Sequence, residues 1–139
     1  MVQLIVGRKG KGKTKHLLDQ VNSDVKTANG NIVYLDKNAK HMYELSNRVR
    51  LVSFPTVFLK NADQFIGFVA GILSSDHDIE KMFFDSFLKI AHLEGKDISP
   101  YVKSLETLSQ LFDVNFVLSV SMDENELPED MKQYVMISL

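Results

Sequence analysis

Eight consecutive residues, Gly7-Arg8-Lys9-Gly10-Lys11-Gly12-Lys13-Thr14, constrain this chain more than any other segment. They follow a short branched apolar run, Val2–Val6, that reads as a buried strand. Behind them Leu17, Leu18, Val21, Val25 and Ala28 recur at helical spacing. The spacing predicts a helix of about four turns from Lys13, stopped by Asn29-Gly30 as a left-handed cap. Glycines in the connecting loop leave backbone N–H groups free to turn inward around an anion, and the following helix aims the positive end of its dipole at the same point. The segment fits G-x-x-x-x-G-K-[ST]. In that pattern Lys13 would reach the terminal phosphates of a polyphosphate, and Thr14 would offer a hydroxyl to Mg²⁺. The competing reading is a basic glycine turn that merely starts a helix.

Downstream, strand-like and helical segments alternate. Asn31–Leu35 reads as a strand ending at Asp36, Ala39–Leu45 as a short helix, and Val49–Phe54 as a strand ended by Pro55. Ala62–Leu73 is apolar on more than one face and reads as a helix covering the sheet, with Gly67 and Gly71 on one side in tight packing or, less simply, in a dimer seam. Ile79–Phe84 is strand-like and finishes at Asp85; a short helix through Leu93 is closed by Gly95. Ser99 offers an N-cap with Pro100 behind it, and Tyr101, Leu105, Leu108 and Phe112 form the stripe of the next helix. Phe116–Val120 is a strand, Pro128 opens a helical turn and Tyr134–Ile137 is a last strand. Helices returning the chain to one sheet edge imply parallel pairing, so the expectation is a three-layer α/β sandwich with a mainly parallel sheet of five or six strands. Ligands of such sheets gather at the carboxyl ends of the strands. That criterion selects Gly7, Asp36, Asp85 and Ser121, and sets aside Asp76-His77-Asp78, which precede a strand.

Composition limits the partners. The 139 residues suffice for one domain, 1–139, and 16 Lys+Arg against 18 Asp+Glu leave a net charge of −2, so no global positive field exists to hold nucleic acid. Cationic residues concentrate instead at Arg8, Lys9, Lys11, Lys13 and Lys15, where they strengthen capture of a polyphosphate or point outward to an acidic partner or, less simply with no exposed aromatic series beside them, to nucleic acid. Arg48 and Arg50 read as a solvated strand pair or as an arginine finger for another copy. With no cysteine, disulfides, thiolate zinc sites and thiol catalysis are excluded. His16, His41 and His92 show no defensible ligand spacing. No apolar run approaches the roughly 20 residues that span a bilayer, and the default expectation is a soluble cytoplasmic protein without membrane insertion.

Through Gly7–Thr14 the chain resembles the P-loop nucleoside triphosphatase superfamily. The resemblance implies a P-loop fold that binds ATP with Mg²⁺, along Gly7, Arg8, Lys9, Gly10, Lys11, Gly12, Lys13, Thr14 and Lys15. ATP is preferred to GTP because no N-K-x-D guanine motif is present. It also implies an apolar strand ending in a metal-holding acid, and Lys81-Met82-Phe83-Phe84-Asp85 supplies one. Thr14 and Asp85 are thus the expected Mg²⁺ residues. The additional-strand branch, which includes RecA-like and AAA-type ATPases, is similar in inserting a strand between these two elements. Many of its hydrolases carry Glu after the metal acid; Ser86 stands there in this chain, a departure that argues for slow turnover. Ser121 resembles that branch's γ-phosphate-sensing residue. Partition and septum-positioning ATPases are similar in an acid after the second strand, matched by Asp36, but have lysine where this chain has Arg8. The expected activity is slow or partner-stimulated ATP hydrolysis using Lys13, Asp36, Asp85 and Ser121, with a protein partner or a second copy as stimulus. Alternatives are a nucleotide-responsive module without catalysis, and a small-molecule kinase with Asp36 at the acceptor.

Overall fold

A computed structural model describes residues 1–53 and 57–139. Its centre is a six-stranded sheet in the order β3-β2-β4-β5-β1-β6. The strands are β1 (Val2–Val6), β2 (Asn31–Asp36), β3 (Val49–Ser53), β4 (Ile79–Phe84), β5 (Asn115–Val120) and β6 (Val135–Ser138). Every neighbouring pair is parallel. Four α-helices flank the sheet: α1 (Lys13–Asp24), α2 (Ala62–Ser75), α3 (Phe87–Ile90) and α4 (Ser99–Phe112).

Alternation along the strands builds two cores, because successive side chains leave opposite faces of a sheet. Ile5, Ile32, Tyr34, Phe83 and Val117 face one way and pack with Leu17, Leu18 and Val21 of α1. Leu4, Val33, Leu35, Phe84, Phe116 and Leu118 face the other way and meet Phe65, Val69 and Leu73 of α2 and Val102 and Leu105 of α4. Edge-to-face ring contacts organise the second core, with Phe84 centred 5.5 Å from Phe116 and 5.9 Å from Phe65. The central strands β1, β2, β4 and β5 are thus buried on both faces, as an all-parallel sheet requires, while the edge strands β3 and β6 are only partly covered.

Several local expectations are corrected. Helix α1 unwinds after Asp24 through turns at Val25–Thr27, and Gly30 has no left-handed backbone. Gly30 is needed for a different reason: a Cβ there would lie 2.4 Å from the Asp78 carbonyl oxygen. Gly67 and Gly71 are exposed, and a Cβ on either would meet nothing within 4 Å, so tight packing is not their role. The expected helix at Ala39–Leu45 reduces to one 3-10 turn, Met42–Glu44. Helix α3 ends at Ile90, before Leu93. Helix α4 is capped from outside by Asp97, whose Oδ1 accepts from the Ser99 amide at 3.0 Å, and its buried line is Val102, Leu105 and Ser109. Phe54 and Pro55, expected to end β3, lie outside the described residues.

Parallel pairing puts all carboxyl ends on one edge, and the register aligns them. Val6 pairs with Val120, Leu35 with Phe84 and Phe84 with Leu118. The loop after β1, Asp36, Asp85 and the end of β5 therefore form one row. The turn Asp76–Asp78 sits at the opposite edge, where Asp76 accepts from Asp78, Asn31 and Arg50.

Candidate functional site

Three glycines shape the loop after β1. Gly7, Gly10 and Gly12 have φ of 157°, 89° and 93°, and the left-handed Gly12 turns the chain directly into α1. No side chain caps this helix and its first turn carries no acid. Among the described residues, the amides of Gly10, Gly12, Lys13 and Thr14 have no protein acceptor. An uncapped helix start with unpaired donors has the backbone chemistry that an anion can accept from. It opens on a cavity of about 370 Å³ lined by Lys9, Gly10, Gly12, Lys13, Thr14, Lys37, Asp85, Ser86, Ser119 and Ser121.

Lys13 is buried, and its Nζ donates to the carbonyls of Gly7 at 2.6 Å and Arg8 at 3.2 Å. Burial pulls this amine below the usual lysine range, with Asp85 opposing the shift. The ammonium thus rests on the loop's own oxygens, beside the open amides. Thr14 Oγ1 stands 3.2 Å from Asp85 Oδ1 and donates to it.

Asp85 is the most heavily hydrogen-bonded side chain of the site. Besides Thr14, its Oδ1 accepts from the Ser119 hydroxyl at 3.0 Å and the Ser86 amide at 2.9 Å, while Oδ2 accepts from the Tyr34 hydroxyl at 2.9 Å. Asp85 is only 3% exposed, and these donors give both of its buried oxygens a hydrogen-bond partner. Burial, then the field of Asp85, holds the Tyr34 phenol well above its ordinary value, so it stays a donor.

Asp36 is equally buried, next to Asp85 across the β2–β4 pairing. Burial first and the charge of Asp85 second push its carboxyl above the usual range, against the Lys37 amide that donates to Oδ1 at 2.7 Å. It lines neither the cavity at the start of α1 nor the larger one beside it. That second cavity, about 580 Å³, shares Lys9, Lys37, Ser86 and Ser121 with the first and adds an apolar side at Leu88, Leu93 and Met122.

The fold therefore brings Gly7–Thr14, Asp36, Asp85 and Ser121 to one edge. Of the basic residues, Lys9 and Lys13 line the smaller cavity, whereas Lys11 and Lys15 are exposed and line neither. Arg8 points to acids beyond β5, 3.4 Å from Glu126 and 3.9 Å from Asp123. Ser121 lines both cavities, but Ser119 is the serine that touches Asp85. Sequence reasoning missed Ser119, Tyr34 and His41. Phe84 pairs with Leu118, which puts Ser119 level with Asp85, whereas Ser121 lies two residues further on, just past the end of β5; a pairing register, once known, selects Ser119 instead.

No helix among the described residues is long and apolar enough to cross a membrane. Compared with protein-family models and with curated proteins, the chain matches none of them.

Proposed function

We propose that this chain is a P-loop protein that binds Mg·ATP and hydrolyses it slowly, or faster when a partner completes the site. The observation that carries the reading is the loop Gly7–Thr14, with unpaired amides at Gly10, Gly12, Lys13 and Thr14 turned into a cavity that also holds Lys13, Thr14 and Asp85. Donors of this kind bind phosphate without reorganising, because the backbone that carries them is already set by left-handed glycines and a helix start. Strand β5, lying between the loop strand β1 and the acid strand β4, supports placement in the additional-strand branch of the superfamily.

The residues fit Mg²⁺: a hydroxyl and a carboxylate, 3.2 Å apart at the end of the phosphate loop, are hard oxygen donors of the type that ion takes. When bound, Mg²⁺ would supply charge neutralisation to the phosphate oxygens. Thr14 and Asp85 would hold it. Lys13 would exchange its carbonyl partners for phosphate oxygens and so bring its charge to the transferring group. Ser119, Ser86 and Tyr34 keep Asp85 oriented. Ser121 stands where a hydroxyl could donate to the terminal phosphate. At Ser86 no carboxylate is available to polarise water, and Asp36, the neighbouring acid, is withdrawn from the cavity wall. Slow intrinsic turnover follows, since phosphoryl transfer depends on a positioned nucleophile.

A coupled phosphate-release assay on the wild type and Lys13→Ala tests this reading. Release that depends on Lys13 supports an ATPase; ATP binding without release favours the nucleotide-responsive module. The larger cavity favours a second reading, phosphoryl transfer to an acceptor seated against Leu88, Leu93 and Met122. Transfer to an added metabolite with little release to water is its signature.

A further inference from the structure

His41 had no partner in the sequence at any ligand spacing, yet folding brings it to the acids. One ring nitrogen of His41, one carboxylate oxygen of Asp36 and one of Asp85 all lie within 4.8 Å of one another. Asp36 and Asp85 are each 3% exposed, and His41 is half-buried.

Three observations separate this group from two acids that merely happen to be close. The imidazole is held from behind: His41 Nδ1 lies 2.9 Å from Glu44 Oε1 on the Met42–Glu44 turn. A carboxylate there accepts a hydrogen bond from Nδ1–H and leaves Nε2 with its lone pair, which is how metal-binding histidines are fixed in one tautomer. Asp36 retains free acceptor capacity, since it receives only the Lys37 amide on Oδ1 among the contacts of the described residues, and Asp85 Oδ2 accepts only from Tyr34. Finally, the two buried carboxylates repel each other, and the buried ammonium of Lys13 is turned to the carbonyls of Gly7 and Arg8. A divalent cation among the three side chains relieves that repulsion.

We propose that Asp36, His41 and Asp85 bind a divalent first-row transition ion of the zinc or manganese type, at a position separate from the Mg²⁺ of a bound nucleotide. One imidazole nitrogen with two carboxylates suits such ions better than Mg²⁺, which prefers oxygen and retains its water. Zn²⁺ bonds of about 2.1 Å place tetrahedral donors about 3.4 Å apart, so the side chains close by roughly an ångström on binding. The ion ties the ends of β2 and β4 to the 37–45 segment. The site requires no nucleotide.

Tag-free, nucleotide-free protein is dialysed to equilibrium against Zn²⁺ in the presence of millimolar Mg²⁺, and metal is counted by mass spectrometry. One zinc per chain is expected. His41→Asn should lose at least tenfold in zinc affinity while its circular dichroism, its melting temperature without metal and its response to Mg·ATP stay unchanged. Glu44→Gln, which leaves all three ligands in place, should weaken zinc about 10–100-fold. Failure to retain zinc, displacement by equal Mg²⁺, or undiminished affinity in both variants overturns the site. Because the zinc measurement omits nucleotide, that failure leaves the phosphate-loop reading standing, and loss of ATP binding leaves the metal site standing.

Discussion

At the scale of single residues, the chemistry converges on Asp85, whose carboxylate accepts from Thr14, Ser119, Ser86 and Tyr34. The Tyr34 bond is buried and made to a charged acceptor, a class worth about 1.5–3 kcal/mol. Tyr34→Phe should lower stability by that order in urea denaturation with the helix signal intact, and should weaken Mg·ATP because Asp85 loses an orienting donor. Lys13→Ala acts differently. It removes the charge proposed to meet phosphate, so ATP binding should disappear while the melting temperature of the free protein changes little. The site's principal acids were legible because a strand ending in Asp can be read off the chain. Tyr34, Ser119 and His41 were not, since each reaches the site across a strand pairing or from a loop that no local pattern describes.

At the scale of elements, the glycines separate into those the backbone needs and those it does not. Gly30 passes beside the Asp78 carbonyl, and a methyl group 2.4 Å from that oxygen forces a shift. Gly30→Ala should cost about 1–3 kcal/mol, the range of overpacking. Gly67→Ala and Gly71→Ala should each stabilise α2 by up to about 1 kcal/mol, because the new methyl group meets open space and helix propensity favours alanine. Thermal melts of the three variants separate the two classes. The exposed pair Lys103–Asp130, 2.9 Å apart, joins α4 to the turn Glu129–Tyr134. The hydrogen bond from Lys103 holds the Asp130 carboxyl below its ordinary value, and the same bond raises Lys103. The Asp130 contribution is therefore present above about pH 4 and fades as pH falls through the lowered value, while that of Lys103 fades only at strongly alkaline pH. Lys103→Met should flatten the acid limb of a stability profile. Helix starts and ends were the least legible features: Asp97, not Ser99, closes the start of α4, because side-chain capping depends on a loop conformation that spacing does not encode.

At the scale of the whole molecule, periodicity carried the fold further than it carried the site. Six strand-like runs separated by helical segments were enough to anticipate a parallel sheet with helices on both faces. The order β3-β2-β4-β5-β1-β6 was legible only as far as a strand inserted between β1 and β4, since strand order is set by tertiary packing and leaves no local trace. The α2 side of that packing rests on Phe65, which contacts the rings of both Phe84 and Phe87. Phe65→Ala should cost about 3–5 kcal/mol in chemical denaturation. Phosphate capture by the amides at the start of α1 is a narrower proposal than the fold. It is tested most directly by the ¹H–¹⁵N spectrum of the protein titrated with a non-hydrolysable ATP analogue and Mg²⁺. Saturable shifts centred on Gly10, Gly12, Lys13 and Thr14, absent in Lys13→Ala, are the predicted result; amide signals that stay in place at millimolar analogue would contradict it.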